Sequence, residues 1–342
     1  MQSDAFLPLA RSRCIVTNRV LVTGADGFIG SHLVELLKCK GHEVRAFCMY
    51  NSNGSFGWLD ESARQSAKDI DFFLGDIRDQ ACLAEACKDV DTVFHLAALV
   101  SVPYSYEAPV SFIHTNIEGT HNVLQASQAA GIGRVVHVST SEVYGTPLTV
   151  PISETHPLQA QSPYSASKIA ADKLCEAWAS SFDLPVVVVR PFNTYGPRQS
   201  ARAVIPTIIT QLLSSERSVH VGSLLPQRDF TFVSDTAEGI RLAGIADLQP
   251  GSVVQLGTGS VYSVEEIIQE VGAALSVEPI VVEDPQRVRP PKSEVAVLQS
   301  DPSRARSLLG WGPSTTFPQG LIETINWWRL RIANHDPSRY YR

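Results

Sequence analysis

Short apolar runs alternate with stretches of helical periodicity over the first two thirds of the chain. The runs predict buried strands at 20–22, 44–48, 70–74, 92–95, 135–139 and 186–190. Apolar positions at helical spacing predict helices between several of these strands, at 28–40, 79–88, 110–130 and 164–181. Strands that are apolar throughout and separated by helices are typical of a parallel sheet covered on both faces. The pattern therefore predicts an α/β protein with a doubly wound parallel sheet of the Rossmann type.

The pattern changes after about residue 191, where proline and glycine become frequent and the predicted elements become short. We interpret residues 191–342 as mainly a smaller C-terminal lobe, interleaved with the first lobe by chain crossings. Residues 19–190 then form mainly the Rossmann domain, and residues 1–18 form a loose N-terminal extension.

Composition and charge exclude several classes of protein. The chain has 342 residues, 44 % of them hydrophobic, and a formal net charge of −7. This acidic balance argues against nucleic acid or an anionic membrane as a partner. No apolar stretch is long enough to span a membrane and no N-terminal run resembles a signal peptide, so we expect a cytoplasmic protein. The six cysteines have no metal-ligand spacing, so we predict reduced thiols and no metal site.

Three glycines follow the first predicted strand and open the first predicted helix. Gly24, Gly27 and Gly30 are spaced three residues apart. In this setting the first glycine allows a tight turn, the second lets a pyrophosphate approach backbone N–H groups, and the third lets the helix pack on the sheet. The pattern predicts a dinucleotide site, and a purely structural glycine-rich turn is the competing interpretation.

The end of the second predicted strand bears on the choice between NAD and NADP. An acidic residue that binds the NAD ribose is expected there, but Cys48 and Met49 occupy the position. No lysine or arginine that could hold a 2′-phosphate lies in the loop that follows, which favours NAD. Asn51 or Ser52 is a candidate for the ribose contact. Asp76, after the third strand, either accepts a hydrogen bond from the adenine amine or caps a helix.

Two groups of polar residues carry candidate catalytic chemistry. Tyr164 and Lys168 share one face of a predicted helix, so a lysine ammonium near the phenol would lower its pKa and prepare it to act as a base. Thr140, Ser141 and Glu142 follow the fifth predicted strand, at the carboxyl edge of the sheet where α/β proteins bind ligands. These side chains can bind a substrate hydroxyl, protonate a leaving group and abstract a carbon-bound proton. A capped loop with a solvated glutamate is the competing interpretation.

Together these residues make the chain resemble the extended short-chain dehydrogenase/reductases, in the family of nucleotide-sugar epimerases and dehydratases. The resemblance runs from about residue 19 to residue 328, and it rests on Thr23–Gly30, His95–Ala98, Asn116, Thr140–Glu142, Tyr164 with Lys168, Pro191–Pro197 and Arg228–Phe230. Within the family, the chain resembles in particular the 4,6-dehydratases of legionaminic-acid-type pathways, in Arg45–Cys48, Tyr50–Ser52 with Gly57–Asp60, Pro103–Tyr106 and Gln199–Pro206.

The resemblance implies an NAD-dependent lyase that removes water from a nucleotide-linked hexose. Tyr164 would take the proton of the C4 hydroxyl with Lys168 as its electrostatic partner, and Thr140 would bind the C4 oxygen. Glu142 would take the C5 proton of the 4-keto sugar, and Ser141 together with Glu142 would assist departure of the C6 hydroxyl. Hydride returning to C6 would regenerate NAD and leave a 4-keto-6-deoxy sugar.

The resemblance also implies the binding residues. The cofactor contacts would be Gly24, Asp26, Gly27, Phe28, Ile29, Asp76, Ile77, Leu96, Ala97, Ala98, Asn116, Tyr164 and Lys168. The substrate contacts would be Asn193, Val204, Arg228 and Arg289, which makes the second lobe mainly a nucleotide-sugar-binding lobe. For each arginine the competing interpretation is a surface ion pair. His95 is interpreted as a structural histidine at a strand end.

Three alternatives share the scaffold. A 4-epimerase would use Tyr164 and Lys168 but needs no base at Glu142. A UDP-glucuronate decarboxylase has a similar Thr-Ser-Glu loop, but the stretch from Arg289 to Val295 resembles hexose 4,6-dehydratases. A dinucleotide-sensing protein without catalysis is disfavoured by the presence of the tyrosine and lysine. We therefore expect a 4,6-dehydratase acting on a UDP- or GDP-linked hexose, with N-acetylglucosamine as the sugar.

The two long predicted helices, at 110–130 and 164–181, have apolar positions on more than one face. These positions include Ile113, Val123, Leu124, Leu174 and Trp178. One face would cover the sheet and the other would pair with a second subunit. The family resemblance points the same way, so we expect a homodimer joined through a four-helix contact.

Overall fold

A parallel sheet lies at the centre of the larger lobe. In the computed structural model, which describes residues 19–66, 70–214, 217–288, 290, 293–334 and 336, its first six strands are β1 (Arg19–Thr23), β2 (Glu43–Met49), β3 (Ile70–Gly75), β4 (Thr92–His95), β5 (Arg134–Val138) and β6 (Val186–Pro191). They are ordered β6-β5-β4-β1-β2-β3, and all pair in parallel. The six strands predicted from the sequence are confirmed. The predicted N-terminal extension lies outside the described residues.

Helices cover both faces of this sheet. They are α1 (Phe28–Cys39), α2 (Asp60–Ser66), α3 (Gln80–Ala86), α4 (Val102–Glu107), α5 (Pro109–Phe112), α6 (Gly119–Ala129) and α7 (Pro163–Phe182). Side chains alternate along β1: Val20 and Val22 pack with α1 in one core, whereas Leu21 packs with α3, α6 and α7 in the other. Two separate apolar cores, one on each face, are what a doubly wound sheet requires. The predicted Rossmann-type fold is confirmed.

The long helix predicted at 110–130 is not regular. Between α5 and α6 the chain forms a π-helical segment, Ile113–Glu118. Such wider turns are rare and often occur at functional sites. The segment contains the buried Asn116, whose contacts are described with the active site.

The remaining elements form the smaller lobe and cross back to the sheet. They are β7 (Asn193–Tyr195), α8 (Val204–Leu212), β8 (Ser218–Val221), β9 (Gln227–Phe232), α9 (Val233–Ile245), β10 (Val253–Leu256), β11 (Val261–Ser263), α10 (Val264–Leu275), β12 (Ile280–Glu283), β13 (Val297–Leu298), α11 (Ser303–Leu309) and α12 (Phe317–Arg329). β11, β9 and β13 form a sheet to which β7 adds, and β12 pairs with β8. Aromatic side chains fill the core of this lobe, among them Tyr195, Phe230, Phe232, Phe317 and Trp328.

Three elements of the second half belong structurally to the first lobe: β10, α9 and α11, which adds Ala305 and Leu309 to the core that contains α1. β10 pairs in parallel with β6 and is the seventh strand of the main sheet. α9 contributes Ala237, Ile240 and Ala243 to the core that also contains α1. The sequence predicted such crossings without locating them. The proposed boundary near residue 191 therefore describes only where most residues of each lobe lie.

Gly30 lies in the first turn of α1 and has very little space around it, because it packs against the chain that follows β1. A Cβ atom at Gly30 would lie 2.0 Å from the Gly24 carbonyl oxygen, whereas a Cβ at Gly312 would have no neighbour within 4 Å. We expect Gly30→Ala to displace α1 from β1 and to lower the free energy of unfolding by about 1–3 kcal/mol. Gly312→Ala, the control, should change it by less than about 0.5 kcal/mol. Thermal unfolding checks this, and equal melting temperatures for the two variants would contradict the close packing.

Candidate active site

A cleft of about 1470 Å³ opens where the carboxyl ends of the sheet strands face the smaller lobe. Parallel α/β sheets bind their ligands at this edge. All five predicted catalytic residues line the cleft: Thr140, Ser141 and Glu142 after β5, and Tyr164 and Lys168 on α7. Two segments that are distant in the sequence are thus brought to one site.

The glycine loop between β1 and α1 forms one end of the cleft. Gly24 has a φ of +69°, and a Cβ atom there would lie 2.7 Å from the backbone nitrogen of Ala97. α1 begins after Gly27 without a side-chain cap and without an acidic residue in its first turn. Its first N–H groups are therefore available to an anion, and the helix dipole favours negative charge there. These residues fit the pyrophosphate of a dinucleotide.

Most of the predicted cofactor residues line this end of the cleft. Besides Tyr164 and Lys168, they are Gly24, Asp26, Gly27, Phe28, Ile29, Asp76, Ile77, Leu96, Ala97 and Ala98. The Asp26 carboxylate accepts a hydrogen bond from the Met49 N–H at 3.3 Å, and burial raises the pKa of Asp26. A carboxylate thus does lie at the end of β2, although the glycine loop contributes it. Sequence reasoning looked for this acid on the strand itself.

One of the two interpretations of Asp76 is corrected by the structure. Asp76 is not a helix cap, because Asp79 caps α3 by accepting hydrogen bonds from two of its backbone N–H groups. Asp76 lines the cleft and pairs with Arg78 at 2.5 Å, and the hydrogen bonds from Arg78 lower the pKa of Asp76. The Asn51 amide donates to the carbonyl oxygens of Met49 and Ser55 and so stabilises the loop after β2. The ribose contact by Asn51 or Ser52 stays a prediction.

Asn116 is buried, with 1 % of its surface exposed, and does not line the cleft. Its amide donates to the Leu99 carbonyl oxygen at 3.0 Å and to Ser167 Oγ at 2.9 Å. Its own carbonyl oxygen accepts the Leu99 N–H at 2.8 Å. Asn116 therefore ties the loop after β4 to α7, beside Lys168. The structure gives it a positioning role, and the direct cofactor contact implied by the resemblance stays a prediction.

Tyr164 is buried under the loop that follows β5. The side chain of Thr140 lies beside its hydroxyl and acts to lower the pKa of the phenol. Thr140 also accepts the Glu142 N–H at 3.2 Å and so caps a 3₁₀ turn, Ser141–Tyr144, which leaves Glu142 partly exposed. Burial raises the pKa of the Tyr164 phenol, and the negative charge of Glu142 raises it further. The phenol and the carboxylate are therefore close enough to influence each other.

Lys168 lies one helical turn after Tyr164 and is 3 % exposed. Its ammonium donates to the Val138 carbonyl oxygen at 2.9 Å. Burial lowers the pKa of Lys168 to about 8. The sequence predicted that this ammonium lowers the phenol pKa, and that contribution stays a prediction. Burial of Tyr164 is the larger effect, and the phenol pKa is raised.

Residues of the smaller lobe line the other end of the cleft. Asn193, Val204 and Arg228 lie there, whereas Arg289 lies outside the described residues. Arg228 is 8 % exposed, donates to a backbone carbonyl at 2.7 Å and pairs with Glu294 at 3.2 Å. Arg228 is therefore a largely buried cation at the cleft, fixed by these two contacts, and not an exposed surface arginine.

Sequence reasoning missed four charged or aromatic cleft residues that belong to the smaller lobe: Arg198, His220, Tyr262 and Arg287. Arg198 directly follows the Pro191–Pro197 motif and pairs with Glu35 of α1 at 2.8 Å. Its position directly after this motif could have identified Arg198 as a cleft residue from the sequence. The other three approach the cleft only through the folding of the smaller lobe.

The described residues contain no cluster of histidine, cysteine and acidic side chains that could hold a metal ion. None of the helices in the described part of the chain has the length and apolar character needed to cross a membrane. The cysteines of that part are free thiols.

Comparison with known proteins establishes the relationship of the chain. The family model described as GDP-mannose 4,6 dehydratase matches residues 21–324. The chain belongs to this family. It is thereby one of the extended short-chain dehydrogenase/reductases, which include nucleotide-sugar dehydratases and epimerases. The predicted family is confirmed, whereas the legionaminic-acid type within it stays a prediction.

Relatives with different reactions are similar to the chain to the same degree. A dTDP-glucose 4,6-dehydratase from Actinoplanes sp. is 34 % identical over 320 residues, which cover 91 % of this chain and 98 % of the relative. A UDP-glucose 4-epimerase from Mycolicibacterium smegmatis is 33 % identical over 318 residues, with the same coverage of 91 % and 98 %.

A solved relative shows the cofactor of the family. The structure of DesIV, a dTDP-glucose 4,6-dehydratase from Streptomyces venezuelae with NAD and TYD bound, has a TM-score of 0.83 and 31 % identity. The match covers 94 % of this chain and 100 % of that one. NAD is thereby confirmed as the cofactor of the family, as the sequence predicted. The glycine loop of this chain fits NAD.

Proposed function

We propose that this protein is an NAD-dependent nucleotide-sugar 4,6-dehydratase, a lyase that converts a UDP- or GDP-linked hexose to its 4-keto-6-deoxy derivative. The observation that carries the proposal is the presence of Glu142 beside Tyr164 in one cleft. Dehydration needs one base for the C4 hydroxyl and another for the C5 carbon, whereas C4 epimerisation needs only the first. Glu142, partly exposed to the cleft, is the second base.

Tyr164 is the base for the C4 hydroxyl. Thr140 lies beside its phenol, acts to lower the phenol pKa, and is placed to bind the C4 oxygen of the sugar. Lys168 supplies the positive charge that favours the phenolate against the cost of burial. NAD, when bound, supplies the hydride acceptor at C4 and the hydride donor at C6.

Glu142 is the base for C5 and, once protonated, the acid for the C6 hydroxyl. Oxidation at C4 acidifies the C5 proton, which the carboxylate then removes. Ser141 is 2 % exposed, and a serine hydroxyl is too weak an acid to protonate a leaving oxygen alone. The proton taken from C5 therefore goes to the C6 oxygen, with Ser141 as a hydrogen-bond partner, and water leaves.

A 4-epimerase, a UDP-glucuronate decarboxylase and a dinucleotide-sensing protein are the alternatives. Epimerisation does not use the carboxylate of Glu142. Decarboxylation removes carbon dioxide instead of the C5 proton, so it does not need a base at C5. The complete set of Thr140, Tyr164 and Lys168 in the cleft favours catalysis over sensing alone.

For the sugar we propose N-acetylglucosamine, on the resemblance of Pro103–Tyr106 and Gln199–Pro206 to the legionaminic-acid-type dehydratases. Arg228 and Asn193 support a diphosphate-bearing substrate, because guanidinium and amide groups bind phosphate oxygens well. The free thiols of the described cysteines support a cytoplasmic location.

Nuclear magnetic resonance of the reaction in deuterated water tests the proposed function. The purified protein is incubated with UDP-N-acetylglucosamine and, separately, with GDP-N-acetylglucosamine. We expect a new C6 methyl signal and deuterium at C5 with one of the two donors, because the proton added at C5 comes from solvent. An inverted C4 centre without a methyl signal would indicate an epimerase instead, and an unchanged sugar with both donors would contradict the substrate assignment.

Glu142→Gln separates the two chemical steps, because glutamine has a similar shape but cannot accept the C5 proton. We expect water elimination to slow by about 10²–10⁴-fold, while reduced nicotinamide still forms in a single turnover. Tyr164→Phe is the control and should abolish both steps. The absorbance of reduced nicotinamide and the methyl signal are the two measurements. Equal loss of nicotinamide reduction in both variants would contradict the role of Glu142.

We also propose a homodimer joined through α5, the π-helical segment and α7. Val110 and Ile113 lie on this surface and are 59 % and 46 % exposed. The other apolar positions that the sequence analysis named on these helices pack wholly or partly in the sheet core: Val123, Leu124, Leu174 and Trp178. The apolar surface left for a second subunit is therefore smaller than the sequence indicated.

Ile113→Glu tests the dimer, since a buried, unpaired carboxylate at a subunit interface is costly. We expect the variant to be a monomer in light scattering at concentrations where the wild-type protein is a dimer. Ile322→Glu, at a position on α12 that is 52 % exposed, is the control and should not change the molar mass. A dimeric Ile113→Glu variant would place the interface elsewhere.

A further inference from the structure

A network of buried charged side chains lies beneath Lys168, inside the sheet. Lys168, Asp172, His137 and Arg190 are each at most 4 % exposed. The first two lie on α7, His137 lies on β5 and Arg190 lies on β6. The proposed chemistry uses only Lys168, so the other three need a separate explanation.

Asp172 is the acidic member of this network, and its two carboxylate oxygens face Arg190 and His137. One carboxylate oxygen accepts a hydrogen bond from Arg190 Nε at 3.0 Å. The other lies 3.6 Å from His137 Nε2, which in turn lies 3.5 Å from the Lys168 ammonium. Asp172 also follows Lys168 by one helical turn, so the two side chains share a face of α7. The negative charge of the carboxylate acts directly on Lys168 and raises the pKa of the lysine against the effect of burial.

The other titratable groups around Lys168 in the core are neutral near pH 7. Burial lowers the pKa of His137 to about 4 and holds the pKa of His95 well below its usual value. His95 is structural, because its ring nitrogens bond to two threonine hydroxyls at 2.8 and 3.0 Å. Burial raises the pKa of Tyr164 and of Cys175. Glu142 faces the cleft.

Asp172 itself stays ionised. Burial acts to raise its pKa, but hydrogen bonding to His137 and the charge of Arg190 outweigh this and lower it. Among the described residues packed against Lys168 inside the core, Asp172 is therefore the negative charge. Arg190 is held on its far side by the Tyr144 hydroxyl at 3.2 Å.

We propose that Asp172 is a positioning residue of the reaction, the counter-charge that keeps the buried Lys168 ammonium protonated while Tyr164 acts as the base. An ammonium without a counter-charge in such a site loses its proton readily. Arg190 pairs with the same carboxylate and so weakens the attraction between Asp172 and the Lys168 ammonium. The proposal rests on the electrostatic role of Lys168 in the proposed function, but not on the identity of the sugar.

Removing either partner of the Asp172–Arg190 pair has opposite expected effects on Lys168. Asp172→Asn removes the attractive charge, so the titration midpoint of Lys168 should fall by about 1–3 pH units. Arg190→Gln removes a competing and repelling positive charge, so the midpoint should rise. Both variants break the same buried ion pair, and both should melt at lower temperature. A purely structural role predicts the loss of stability without the opposite shifts.

The titration is measured on the NAD-bound protein without any sugar. The Cε signal of isotopically labelled lysine reports protonation, the chain has seven lysines, and Lys168→Met assigns the signal. We expect the midpoint to increase in the order Asp172→Asn, wild type, Arg190→Gln. Asp172→Glu keeps the charge and should restore a midpoint near that of the wild type.

A midpoint for Asp172→Asn at or above that of the wild type would overturn the proposal. A Lys168 midpoint below pH 7 in the wild-type protein would also overturn it. The wild-type measurement tests the proposal even if Asp172→Asn does not fold. In turnover with an accepted sugar, the alkaline limb of the kcat/KM profile should move in the same direction as the midpoint. If no sugar is dehydrated, the lysine titration still decides this proposal, so its failure and that of the proposed function are distinguishable.

Discussion

The ammonium of Lys168 donates its hydrogen bond to the Val138 carbonyl oxygen at the carboxyl end of β5, and this contact holds α7 against the sheet. Tyr164 lies one turn earlier on the same helix, whereas Thr140 and Glu142 follow β5 directly. In the proposed mechanism the helix supplies the first base, and the end of the strand supplies Thr140 and the second base. Their spacing therefore depends on how α7 packs on β5, and the buried lysine is part of that packing as well as of the chemistry.

The same helix also connects the catalytic end of the cleft with the cofactor end. Asn116 bonds to Ser167 on α7 and to Leu99 in the loop after β4. That loop contains Ala97, whose backbone nitrogen approaches Gly24 so closely that a side chain there would not fit. A displacement of the glycine loop would thus be transmitted through buried hydrogen bonds to the helix that carries the base. Such polar networks specify one arrangement because every broken member leaves an unsatisfied buried group.

The parts of the fold and site that the sequence predicted are those encoded locally. Strands buried on both faces are continuous apolar runs, and the glycine loop and the Tyr164–Lys168 spacing are short motifs. What the sequence did not predict depends on residues that meet only in the folded chain. β10 and α9 return to the first lobe, Asp26 supplies the acid at the end of β2, and the π-helical segment interrupts a regular apolar pattern. The raised phenol pKa of Tyr164 belongs to the same class, because burial is a property of the tertiary structure.

Relatives at 33 % and 34 % identity carry names of different reactions, so membership of the family does not decide the outcome. The outcome depends on which groups stand beside C5 and C6 of the oxidised sugar. In the proposed mechanism Ser141 is too weak an acid, so the Glu142 carboxylate must take the proton from C5 and deliver it to the C6 oxygen. One carboxylate can do both only if the C5 hydrogen and the C6 oxygen lie on the same side of the sugar. The pairing of a serine with a glutamate in this loop therefore constrains the conformation in which the sugar is bound, as well as the bond that breaks.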